Sequence, residues 1–63
     1  MARVDVKALC AYMLENVEKD PAETWLVLLR LANAGVTAFE ISTHLNQEDM
    51  QRIVQSVRNF GSN

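Results

Sequence analysis

The stretch Asp20-Pro21-Ala22-Glu23-Thr24-Trp25-Leu26-Val27-Leu28-Leu29-Arg30-Leu31-Ala32-Asn33-Ala34-Gly35 (20–35) sets the terms for the whole chain. Asp20 suits a helix N-cap and Pro21 the first helical position, where a missing N–H costs nothing. Gly35 suits the left-handed residue that closes a helix. Between them, at about 100° per residue, Ala22, Trp25, Leu26, Leu28, Leu29 and Ala32 spread over one broad face. Val27 and Leu31 fall on a second flank, and only Glu23 and Arg30 make a clearly polar sector. A surface helix needs an apolar stripe of roughly 100°; this one is apolar around most of its circumference.

Working outward, the preceding segment predicts a helix over about 4–18. Val6, Leu9, Cys10, Met13, Leu14 and Val17 recur at helical spacing as one stripe. Asp5 can cap it, and Tyr12 sits at the stripe's edge, where the ring packs while the hydroxyl stays wet. The central helix is expected over 21–34. After Gly35, Thr37-Ala38-Phe39-Glu40 fits a capping box and starts a short third helix over 37–45. Phe39, Ile41 and Leu45 are its expected apolar contacts. Asn46 suits either a C-terminal left-handed residue or the cap of the next helix. A fourth helix over 47–60 carries Glu48 and Asp49 in its first turn, favourable against the helix dipole, and a stripe of Met50, Ile53, Val54, Val57 and Phe60. The pairs Glu15/Lys19 and Glu48/Arg52 stand at i,i+4 as solvated supports. The expected fold is therefore all-α: three to four short helices in one compact bundle spanning 1–63 as a single domain.

Sixty-three residues bury only about 60% of the surface of the unfolded chain, so such a domain needs a disulfide, a metal or a partner subunit. Cys10 is the one cysteine and cannot form an internal bridge; with His44, the one histidine, it falls short of a four-ligand zinc site. Oligomerisation is the remaining route, as a homodimer or higher oligomer. If the broad face of the central helix closes the subunit's own core, the Val27/Leu31 flank is left for a partner. The expected oligomer interface is Trp25, Val27, Leu28 and Leu31.

Composition narrows the function classes. Eight acidic against six basic residues give a net charge of −2, with Arg3, Lys7, Lys19, Arg30, Arg52 and Arg58 scattered along the chain, whereas dedicated nucleic-acid binders are more often basic on one face. No apolar run reaches 18 residues, and the N-terminus lacks a secretory pattern. A free thiol without an export signal points to the cytoplasm. No Gly-rich phosphate loop, metal spacing or nucleophile–base pair appears. The expectation is a non-enzymatic protein with no catalytic residues, no metal and no cofactor. Cys10 reads as a small buried thiol and His44 as a surface or capping residue.

Two resemblances add to this. Gly35-Val36-Thr37-Ala38-Phe39-Glu40-Ile41-Ser42-Thr43-His44-Leu45 resembles the first helix of bacterial helix-turn-helix regulators, a likeness extending over residues 35–57. It implies a DNA-binding regulator using residues 37–60, with Gln47, Gln51, Arg52, Gln55 and Arg58 as nucleic-acid contacts. The sequence departs from that pattern at Asn46, where the turn glycine is usual, at Gln47, where an apolar anchor is usual, and at Arg52. Glu48 and Asp49 would also meet the phosphates at the start of a recognition helix. Separately, Val-Lys-Ala-Leu-Cys-Ala-Tyr-Met-Leu-Glu-Asn (6–16) and the chain length resemble small proteins of the lambdoid phage early region, encoded between the exonuclease and excisionase genes. That likeness implies a host-cell cytoplasm and an accessory role in host or phage development. The combined expectation is a helical homo-oligomer that binds itself and a host or phage protein.

Overall fold

The computed structural model describes residues 4–62. Four helices follow one another: α1 (Val6–Asn16), α2 (Pro21–Asn33), α3 (Ala38–Ser42) and α4 (Gln47–Gly61). No strand occurs among the described residues, so the fold is all-α. Helix α2 packs against both α1 and α4 and is the spine of the domain.

The helix boundaries follow from local chemistry. The Asp5 carboxylate accepts from the Ala8 N–H at 3.1 Å, and the Asp20 carboxylate accepts from the Glu23 N–H at 3.1 Å. Each satisfies a backbone donor that the helix itself leaves unpaired. At the far end of α2 the Gly35 N–H reaches the Ala32 carbonyl at 3.0 Å and the Val36 N–H reaches the Leu31 carbonyl at 3.0 Å. That is the Schellman arrangement, and Gly35 takes it with a φ of 82°. Val36 and Leu31, the residues this motif brings together, are both part of the buried core.

Helix α3 is shorter than the expected 37–45. Thr37 caps it by accepting from the Glu40 N–H at 3.1 Å. The Ser42 hydroxyl then donates to the Phe39 carbonyl at 2.6 Å, and the Thr43 hydroxyl to the Glu40 carbonyl at 2.7 Å. These hydroxyls compete with further helical N–H groups for the terminal carbonyls, and the helix stops at Ser42. Asn46, extended at φ −80° and ψ 173°, caps α4 by accepting from the Asp49 N–H at 2.7 Å.

The core is Val6, Cys10, Met13 and Val17 from the α1 side, Val27 and Leu31 from α2, Val36 and Leu45 from the connections, and Ile53 from α4. Two polar residues join it with their hydrogen bonds made. Thr24 donates to the Asp20 carbonyl at 3.3 Å, and Ser56 donates to the Val17 carbonyl at 2.6 Å. The second bond links α4 to the end of α1 and satisfies a carbonyl that the helix leaves open.

This arrangement reverses the expected orientation of α2. Val27 and Leu31, assigned by pattern to an oligomer interface, are inside the subunit's own core. The broad face carrying Trp25, Leu26 and Leu29 points outward. Thr24 permits this orientation. With its hydroxyl returned to the Asp20 carbonyl it is fully buried, and with Val27 and Leu31 it forms the i, i+3, i+7 line that meets α1 and α4. Phe39, expected to pack, is also outside, and so are Val54 and Phe60 at the margins of the α4 stripe.

Candidate interaction surface

Three narrow stripes fill so small a core, and the remaining apolar side chains stay outside. On the outer face of α2, Leu26 is 56% exposed, Leu29 39% and Trp25 38%; Val54 on α4 is 48% exposed and Phe39 on α3 76%. Single exposed hydrophobic residues are ordinary, but contiguous ones mark an interaction surface.

Contiguity comes from a groove between α2, α3 and α4. Its walls are Leu28 from α2, Ala38 and Ile41 from α3, and Met50, Ile53, Val54, Val57 and Arg58 from α4, enclosing about 240 Å³. Met50, Val54 and Val57 stand at i, i+4 and i+7, a second line beside the buried Ile53/Ser56 line. Leu28 is half-buried and joins the two regions: Trp25 and Ala32, at i−3 and i+4 from it, are its neighbours on the helix surface. The opposite flank of α2 is turned to α1, where the Tyr12 hydroxyl donates to the Glu23 carboxylate at 3.1 Å. That bond is the first cause holding the Tyr12 phenol above its ordinary pKa.

The expected interface residues therefore divide. Trp25 and Leu28 border the apolar surface, whereas Val27 and Leu31 are buried in the subunit's core. Ala38, Ile41, Met50, Val54 and Val57 were not among the expected interface residues. For Met50, Val54 and Val57 the signal in the sequence was the width of the α4 stripe, which holds two apolar lines where one suffices for a core.

The expected nucleic-acid contacts also separate. Gln51, Arg52 and Gln55 line a cleft of about 560 Å³ between α4 and the α1–α2 junction, together with Val17, Pro21, Glu18 and Glu48. Arg58 lies on the apolar groove instead, and Gln47 is exposed at the first position of α4. Arg52, expected to pair with Glu48, bonds Glu18 at 2.9 Å and Asp49 at 3.4 Å. The Glu18 hydrogen bond is the largest influence raising its pKa. Two of its donors thus already face carboxylates, which compete with a phosphate for the guanidinium. Gln55 donates to Asn59 at 3.0 Å.

Cys10 is buried, and burial pushes its thiol above the ordinary range, which opposes thiolate chemistry. His44 is exposed on the α3–α4 connection. No group of three or more His, Cys, Asp or Glu side chains among the described residues is placed to hold a metal ion, and no described helix is long and apolar enough to cross a membrane.

Fold and surface together define an all-α, four-helix domain with an exposed apolar groove. No protein-family model, curated protein or solved structure matches the chain.

Proposed function

We propose that this chain is a non-enzymatic interaction and regulatory accessory protein that works as a helical homo-oligomer. The observation carrying this is the continuity of the α2 outer face with the α2–α3–α4 groove through Leu28. Covering such a surface removes it from water at about 25 cal/mol per Å². A 63-residue chain has few other sources of added stability. The resemblance of residues 6–16 to lambdoid phage early-region proteins supports a host-cell cytoplasm, a host or phage protein as a further partner, and a role in modulating host or phage development. Light scattering on the eluting protein tests the assembly. A mass above 7.1 kDa that falls when Leu29→Glu is introduced supports it; a wild-type mass of 7.1 kDa throughout the micromolar range overturns it.

The competing reading, a DNA-binding regulator using residues 37–60, draws less support, because Arg52 is engaged by Glu18 and Asp49. Specific duplex binding that weakens steeply with salt would reverse that preference.

A further inference from the structure

We infer that the groove is filled by the outer face of α2 from a second copy of the chain, the two copies exchanging this contact reciprocally about a two-fold axis. The inference rests on the interaction function above and adds its symmetry and its contact residues.

Groove size and chemistry come first. At about 240 Å³ the groove is smaller than the roughly 300–1,000 Å³ of small-molecule sites. Its walls are apolar side chains apart from Arg58. That suits one or two large apolar side chains better than a free ligand.

The chain itself supplies such side chains. Trp25, Leu29 and Ala32 stand at i, i+4 and i+7 on the outer face of α2, the anchor spacing of a helix laid into a groove. Positions 22, 25, 26, 29 and 32 carry no charge to meet Arg58 with repulsion. A two-fold interface requires one patch that is complementary to itself. Here ridge and groove share Leu28 as a common border, so an axis at that border sets each ridge over the other copy's groove.

Area favours reciprocity over one-sided docking. The exposed fractions of Trp25, Leu26, Leu29 and Val54, with the half-buried groove walls, amount to apolar surface on the order of 500 Å². A stable interface takes about 800 Å² per partner, and in homodimers about 65% of it is apolar. The patch thus matches the apolar share of one half-interface only when ridge and groove are both covered.

Complementation between two variants tests the arrangement. Leu29→Glu alters the ridge and Val54→Lys alters the groove wall; both positions are exposed in the subunit. Each variant alone is expected to be a 7.1 kDa monomer with wild-type helical circular dichroism. Mixed in equal amounts they are expected to associate at least tenfold more tightly than either does alone. The mixed pair keeps one unaltered ridge–groove contact and sets the introduced carboxylate against the introduced ammonium in the other. If either substitution costs the helical signal, Leu29→Gln with Val54→Gln replaces it, with the uncharged contact alone expected to restore association. A variant that assembles like wild type, or a mixture that stays monomeric, overturns the reciprocal docking while leaving the homo-oligomer intact. A wild-type chain that never assembles overturns both.

Discussion

Replacing Leu31 with alanine separates the two orientations of α2. Leu31 is fully buried against Val36 and the rest of the core cluster. Truncating a buried leucine removes its transfer energy and leaves a cavity, a cost of about 2–5 kcal/mol. A chain of this length has a total stability of roughly 3–9 kcal/mol. At about 4–8 °C per kcal/mol for a domain this small, Leu31→Ala should lower the melting midpoint by roughly 8–40 °C or leave the chain unfolded. Leu26→Ala is the matched control, because Leu26 is exposed on the same helix. Its effect on the isolated subunit should stay within about 0.5 kcal/mol, as for other surface substitutions. The assay is thermal unfolding for the midpoint and urea unfolding for the free energy, both followed by far-UV circular dichroism at two low protein concentrations, since association adds concentration-dependent stability. If Leu31→Ala left the subunit as stable as Leu26→Ala while weakening association, Leu31 would lie at the subunit surface and the packing described above would be wrong.

Three further outcomes follow from individual contacts. Ser56→Ala strands the Val17 carbonyl that its buried hydroxyl satisfies at 2.6 Å, and should cost about 1–3 kcal/mol in the same unfolding assay. Glu18→Gln weakens an ion pair whose partners are both solvent-exposed, and should leave the unfolding midpoint unchanged within error. Burial raises the Cys10 pKa, so above the ordinary thiol range, near pH 8.5, the unfolded chain loses its proton first. The stability contribution is therefore complete below that pH and is lost as pH rises. The raised phenol of Tyr12 acts with the same sign at higher pH. Unfolding midpoints measured from pH 7 to pH 10 should fall, and Cys10→Ala should remove the thiol's part of that slope.

How far the sequence carried can be seen residue by residue. The caps at Asp5, Asp20 and Thr37 and the stop at Gly35 were legible because each rests on chemistry within four residues. The stripe Val6, Cys10, Met13 and Val17 was legible because α1 has one apolar side to bury. The orientation of α2 was not. Its widest apolar arc looked like the core face, yet the core line runs through a threonine whose hydroxyl is satisfied by the helix's own backbone. An intrahelical bond of that kind makes a polar residue compatible with burial without leaving a mark in hydropathy. The early end of α3 turned on two competing hydroxyls, Ser42 and Thr43, whose rotamers periodicity does not specify. The groove depends on which lines of α2 and α4 face each other, a tertiary fact. What survived unchanged is the surplus itself: α2 carries more apolar surface than one subunit covers, although the uncovered side is Trp25, Leu26 and Leu29.

That surplus is tested most directly by sedimentation equilibrium of the wild-type chain over a hundredfold range of micromolar concentration. Self-association through the α2 ridge and its groove gives a weight-average mass that rises with concentration toward twice the 7.1 kDa of the subunit. A folded chain that sediments at 7.1 kDa across the whole range would contradict it.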